Sequence, residues 1–260
     1  MKQSLKIGVA LAFTGAAAFA GAASAAESEV ALKHPGWSHQ GPFGTFDRAA
    51  VQRGLTVFEN VCNSCHSLKY VHYRNLEGIG FTEDEVKGIA AKVQVEDGPD
   101  ENGDMFMRPA KPSDHFRSPF ANDELARVSN GGALPPDLSV IVEAREGHED
   151  YIYSLLTGYT DPPADVEMAA GKSYNAYFAG HQIGMPPPLS EGLVDYPDGT
   201  EATVEQMAHD VTTFLAWAAE PNMEVRKETG FKVLVFMAIL SILLILANRK
   251  IWKKLKAQNA

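Results

Sequence analysis

The chain has 260 residues, 45% of them hydrophobic, enough to bury a core in one or two domains. All 33 acidic residues fall between Glu27 and Glu228. Of the 23 basic residues, Lys2 and Lys6 precede that stretch and six follow it from Lys232 onward, leaving 15 against 33, a formal −18. Such a balance excludes a surface built for nucleic acid, whose phosphates need cations, and suits the steering of a basic partner.

The chain opens with a secretory pattern. Lys2 and Lys6 give a basic start, residues 7–20 are a short apolar run, and Ala23-Ser24-Ala25 supplies small residues for cleavage, so residues 1–25 read as a signal peptide. Residues 26–229 then form one extracytoplasmic body. Its periodicity predicts helices separated by long Pro/Gly-rich loops, with little strand signal. Val51, Gly54, Leu55, Phe58 and Cys62 share one helical face after Asp47. Thr82 and Glu85 make a capping box ahead of Val86, Ile89, Ala90 and Val93. Asn122 starts a short helix that stops at Asn130-Gly131-Gly132, and a further helix covers residues 151–157. Thr203 and Gln206 cap the clearest helix, with Val204, Met207, Ala208, Val211, Phe214, Leu215 and Ala218 at helical spacing and Pro221 as its stop.

Between the first two helices stands Cys62-Asn63-Ser64-Cys65-His66, a Cys-x-x-Cys-His run that is the attachment signature of haem c. On a helical turn these three residues stand at i, i+3 and i+4 and face one way. Two thiols can therefore bond to the haem vinyl groups while the imidazole beside them reaches the iron. A zinc site needs two more Cys or His ligands at suitable spacing, and the chain has no other cysteine. A thioredoxin-like pair belongs in an α/β context, and a plain disulfide leaves His66 unexplained. The candidates for the opposite iron position are Met105, Met107, Met168, Met185, Met207 and His181. Met185 lies in Gly184-Met185-Pro186-Pro187-Pro188, where prolines set the backbone of a loop that presents a thioether. His181 is the second choice, and the residues alone leave the choice open.

The far end is different in kind. Residues 230–247 are apolar apart from Lys232 and Ser241, long enough to cross a bilayer core, and Arg249, Lys250, Lys253, Lys254 and Lys256 follow at once. The expected organisation is a transmembrane anchor over 230–248 and a basic cytoplasmic tail over 249–260. By the positive-inside rule the body then lies outside the cytoplasm, in agreement with the signal peptide. The fold class expected is all-α: a cytochrome c-like haem domain with long loops plus one C-terminal transmembrane helix.

Several longer motifs carry a resemblance. Trp37-Ser38-His39, Arg53-Gly54, the segment around Cys62 to Ser67, Met105-Phe106-Met107-Arg108-Pro109 and Gly132-Ala133-Leu134-Pro135-Pro136-Asp137-Leu138-Ser139 occur in that order. Glu149-Asp150-Tyr151, Leu155-Leu156-Thr157-Gly158-Tyr159, Ile183-Gly184-Met185-Pro186-Pro187 and Trp217-Ala218-Ala219-Glu220-Pro221 complete the series. With these motifs the chain resembles the cytochrome c1 family, bacterial type, along nearly all its mature length. The resemblance implies one haem c held by Cys62 and Cys65, with His66 and Met185 as axial ligands. It further implies that Arg127 pairs with a haem propionate and that Pro135 and Pro136 wall the haem. The two cysteines leave none for the extra disulfide that some bacterial relatives carry.

The implied role is a one-electron relay within the quinol–cytochrome c reductase (bc1) complex. An electron comes from the Rieske iron–sulfur subunit and goes to a soluble c-type cytochrome. Cytochrome b is a further partner, the complex is a dimer, and the anchor sits in the inner membrane with the haem domain in the periplasm. No acid–base group is required of this chain, since the iron changes valence. The competing readings are a free-standing anchored cytochrome c serving a terminal oxidase and a haem enzyme with an open iron position.

Overall fold

The computed structural model describes residues 30–258. The signal peptide expected over 1–25 lies outside the described residues.

The body is built around two helices in close contact, α1 (Arg48–Asn60) and α5 (Val204–Ala219). Asp47 starts α1 by accepting hydrogen bonds from the amides of Ala49 and Ala50. Val51, Gly54, Leu55 and Phe58 form its buried face, as their spacing predicts. Thr203 starts α5 through the amide of Gln206 at 3.1 Å, but only half of the expected box forms, because the Gln206 amide turns to Asp210 Oδ2 at 3.0 Å.

Gly54 is what lets the two helices touch. A Cβ there would lie 2.1 Å from the carbonyl oxygen of Asp210 and 2.6 Å from Phe214 Cβ. One residue earlier, Arg53 grips the fully buried Asp210 with two bonds, Nε to Oδ2 at 2.8 Å and Nη2 to Oδ1 at 3.0 Å. Phe58 meets Phe214 at 5.5 Å, and Phe116 lies edge-on to Phe58 from the other side. These rings and the aliphatic side chains around them make one continuous core.

The remaining elements are short. A 3₁₀ segment, Tyr73–Ile79, supports α2 (Glu83–Ala91), which carries the complete Thr82–Glu85 capping box expected for it. α3 (Asp123–Ser129) is capped by Asn122. α4 (His148–Leu156) begins three residues before the expected start at 151. Two hairpins were not foreseen: β1 (Gln94–Asp97) pairs with β2 (Phe106–Pro109), and β3 (Ser173–Tyr174) pairs with β4 (Gln182–Ile183), both antiparallel. Their strands are too short to set up a readable alternation.

Two motifs distant in sequence meet at the base of α4. Trp37 Nε1 donates to Asp150 Oδ1 at 2.7 Å, and His39 Nε2 lies 2.9 Å from Glu149 Oε1. The N-terminal segment is thereby fastened across the body.

The apolar stretch near the C-terminus lies in α6 (Met223–Gln258), a 36-residue helix about 54 Å long at 1.5 Å per residue. Its most apolar 18-residue window has a mean hydropathy of 2.6 and no buried residue, so by length and composition it can cross a bilayer. It starts seven residues ahead of position 230, and that first stretch is bonded to the body. Glu224 accepts from the amide of Phe46 at 2.8 Å and from Arg48 at 2.6 Å, and Lys227 donates to the carbonyls of His39 and Gly44.

Candidate haem site

α1 ends at Asn60, and the chain tightens into a 3₁₀ turn, Cys62–Ser64. The amides of Cys65 and His66 both bond to the carbonyl of Cys62, at 3.1 and 2.9 Å. That shared acceptor places Cys62, Cys65 and His66 on one turn, as the spacing predicts. Both thiols are free. Packing around Cys62 pushes its thiol up to about 12, so it is neutral at physiological pH.

Opposite this turn runs the segment from Ala133 to Ser139, joined to it by a ladder of bonds. His66 Nδ1 lies 2.8 Å from the carbonyl oxygen of Pro136. A carbonyl can only accept, so the proton sits on Nδ1 and the Nε2 lone pair is left for a metal. Burial lowers the pKa of His66 against the pull of Pro136, which keeps the imidazole in the neutral, ligating form. Asp137 secures the next residues. Its Oδ2 accepts from Ser67 Oγ at 2.7 Å and from the Lys69 amide at 3.0 Å, and its Oδ1 from the Ser139 amide at 2.9 Å. The amide of Leu138 bonds to the carbonyl of Ser67 at 2.9 Å, and the amide of Tyr70 to Ser139 Oγ at 3.0 Å.

Pro135 and Pro136 line a cleft of about 290 Å³ with Cys65, Phe120, Ala126 and Leu134. Ser67, Lys69, Asn122 and Asp137 also line it, so the cleft sets an apolar strip and a polar one beside a thiol. Met185 stands on the neighbouring loop, directly after β4, and is half-buried. Gly184 brings that loop against the wall, since a Cβ there would lie 3.2 Å from Ala133 Cβ. Tyr159 Oη donates to the carbonyl of Met185 at 3.2 Å and holds the loop from below.

The rival ligands have other surroundings. His181 takes a left-handed backbone (φ 56°) at the tip between β3 and β4, its ring tilted on Tyr174 and its Nδ1 3.3 Å from the carbonyl of Asn175. Met207 is wholly buried in the α5 core. Met105 and Met107 are exposed on the first hairpin. Arg127 is exposed on α3, with Nη1 3.4 Å from the carbonyl of Gly132, and it has no carboxylate partner among the described residues. The clamp residues Ser67, Asp137, Ser139 and Tyr159 received no role from the sequence. The Asp-x-Ser spacing at 137–139 was the readable signal, since an aspartate so placed bonds the amide two residues on.

Two free thiols on one turn, an imidazole with Nδ1 occupied and Nε2 open, and the apolar strip of Leu134, Pro135 and Phe120 together fit a covalently attached porphyrin. No group of three or more His, Cys, Asp or Glu that could hold a bare metal ion occurs among the described residues.

Known proteins resemble this chain over most of its length. A family model described as the Cytochrome C1 family matches residues 37–255. Cytochrome c1 of Rhodospirillum rubrum is 48% identical over 255 residues, covering 92% of this chain and 94% of that protein. The mitochondrial cytochrome c1 haem protein of Saccharomyces cerevisiae is 47% identical over 239 residues, 92% of this chain and 77% of its own length. Cytochrome b/c1 of Bradyrhizobium diazoefficiens is 44% identical over 275 residues, 96% of this chain but 40% of that longer protein.

Proposed function

This chain belongs to the cytochrome c1 family, and we infer from that membership and from the site that it is the haem-bearing electron-transfer subunit of the bc1 complex. As such it is one subunit of an oxidoreductase, quinol–cytochrome c reductase, and works beside cytochrome b and the Rieske iron–sulfur protein. One haem c is attached through the thiols of Cys62 and Cys65. When bound, its iron supplies reversible one-electron chemistry.

The rest of the work falls to the chain's own residues. His66 would hold the iron through Nε2, oriented by the Nδ1–H bond to Pro136. Met185 would hold it through its thioether, on a loop held by Tyr159 and by the close approach of Gly184 to Ala133. A His/Met pair raises the potential relative to two histidines, which suits a late carrier. Pro135 and Pro136 would shield the haem from water, and Arg127, exposed without a carboxylate among the described residues, would pair with a propionate. The observation that carries the assignment is the single turn bearing two free thiols and an imidazole whose Nε2 is left open.

The electron enters from the Rieske protein and leaves to a soluble c-type cytochrome, within a dimeric complex. α6 anchors the chain in the bacterial inner membrane, the body faces the periplasm and the basic tail the cytoplasm. The −18 body draws a basic acceptor; Glu83 and Asp84 are exposed on α2 and share Lys87, and Asp97 is engaged by Arg108. Equal turnover with the acceptor at low and high ionic strength would count against that attraction.

Two measurements test the reading. Met185→Leu lowers the haem midpoint potential, and an unchanged potential overturns the ligand assignment. Gentle solubilisation and tag purification bring down b-type haem and a Rieske paramagnetic signal in fixed ratio with haem c. Haem c recovered alone would instead make the chain a free anchored carrier.

A further inference from the structure

His72 and His115 face each other across an isolated antiparallel bridge. The amide of Phe116 donates to the carbonyl of Val71 at 3.0 Å and the amide of Tyr73 to that of Asp114 at 3.1 Å. Hydrogen bonds therefore flank the pair without joining it. In an antiparallel ladder this is the narrow position, where opposite Cα atoms stand about 4.5 Å apart and both side chains leave on the same face. The two imidazoles meet there, with ring centroids 3.8 Å apart and planes inclined by 37°. His115 is exposed and His72 half-buried.

Neither ring is used by the turn that follows. The amide of Asn75 goes to the carbonyl of His72 at 3.0 Å, and the Asn75 side chain takes the His72 amide at 2.8 Å. Asp114, next to His115, is committed to Arg108 at 2.6 Å and to the Lys111 amide at 2.8 Å. Neither imidazole forms an ion pair with a carboxylate among the described residues. Burial lowers the pKa of His72, and the neighbouring His115 and Arg74 lower it further against the pull of Asp114.

We propose that His72 and His115 form a two-imidazole site for a divalent late first-row transition-metal ion, with water completing its coordination. Imidazole nitrogens bind such ions at about 2.0–2.1 Å, and two rings whose centroids lie 3.8 Å apart on one face are placed to share one ion. Copper(II) is the strongest binder in the series and is the probe of choice. The ion would clamp the start of the 3₁₀ segment to the segment that runs on into Phe120, on the wall of the cleft beside Cys65.

The test titrates Cu²⁺ alone into the oxidised, haem-loaded full chain in detergent, read by paramagnetic resonance. One ion binds per chain, with coupling to two nitrogens, and affinity falls about tenfold or more in both His72→Ala and His115→Ala. His148→Ala, which removes another exposed histidine, leaves binding unchanged. Wild-type affinity in His115→Ala overturns the proposal. That variant decides alone should His72→Ala fail to fold, because His115 is exposed and the unaltered haem spectrum reports that the site is intact.

Discussion

His66 and Pro136 stand seventy residues apart in sequence, yet the imidazole Nδ1 lies 2.8 Å from the proline carbonyl. On the proposed ligation, the bond decides which nitrogen of His66 would face the iron and makes that ligand more basic. What keeps the carbonyl in place is Asp137, one residue on, with two bonds to the segment that follows His66, from Ser67 and Lys69, and a third from the Ser139 amide. Burial works to raise the Asp137 pKa, but bonds from Ser139, Ser67 and Lys69 outweigh it and hold the carboxyl below its usual range.

Asp137→Ala should therefore reach the iron without touching it. Losing the clamp lets Pro136 drift, His66 becomes a weaker donor, and the oxidised iron loses stabilisation. The midpoint potential rises, and stability falls by about 1–3 kcal/mol from the unsatisfied partners left behind. Ser64→Ala, on the exposed side of the same turn, should leave the potential where it is. Redox titration of the two variants separates the outcomes. Equal potentials in Asp137→Ala and wild type would detach the clamp from the ligand.

A second prediction concerns the Met185 loop. Tyr159 donates to its carbonyl at 3.2 Å, and burial, with Tyr151 close by, keeps the phenol protonated far beyond neutral pH. Tyr159→Phe removes one donor and no volume. The expected loss is about 0.5–1.5 kcal/mol in stability, and the potential should move in the same direction as in Met185→Leu but by less. A Tyr159→Phe protein with the full Met185→Leu shift would mean that the hydroxyl, rather than the thioether, sets the potential.

Helix contact gives the third. Gly54→Ala would place a methyl group 2.1 Å from the carbonyl oxygen of Asp210, against backbone that cannot rotate away. α1 must move off α5, and the Arg53–Asp210 bonds stretch with it. Overpacking of this kind destabilises by about 1–3 kcal/mol or more. Removing the buried charge pair one-sidedly, by Asp210→Ala, leaves Arg53 without its main partner and costs about 3–5 kcal/mol. Chemical denaturation of both variants checks the order: Asp210→Ala below Gly54→Ala, and both below wild type.

Four of the helices were legible because each carries its own start signal. Asp47, Thr82, Asn122 and Thr203 all cap as their residue types dictate. The turn at 62–66 was legible because a local spacing fixes it. The clamp at Asp137 and the two hairpins were not, since they depend on which distant segments meet, and spacing within one segment carries no such information. The anchor shows the same division. Its apolar core was readable from composition, whereas its first turns are helical through Glu224 and Lys227 bonding back to Phe46, His39 and Gly44. That docking also predicts that a chain ending at Thr229 stays folded and soluble, while one ending at Asn222 melts lower by thermal scan.

The last prediction is the response to acid. Asp114 is held down to about 2 by Arg108, and Asp198 to about 2 by the Thr200 amide and Arg53. Burial pushes Asp210 upward, yet bonds from His209, Arg53 and Gln206 leave it below the usual carboxylate range. An unfolded aspartate titrates near 3.9. Each of these groups is therefore ionised in the folded protein while its unfolded counterpart takes up a proton. Their stabilisation is complete above about pH 4 and is lost as the pH falls through the folded values toward 2. Asp114→Asn isolates one contribution. It lowers stability at pH 6 by about 1 kcal/mol, once solvent screening at a partly exposed ion pair is allowed for, and it flattens the fall between pH 4 and 2. Denaturation midpoints across that window decide the matter: parallel curves for the variant and wild type would mean that Arg108 does not hold Asp114 down.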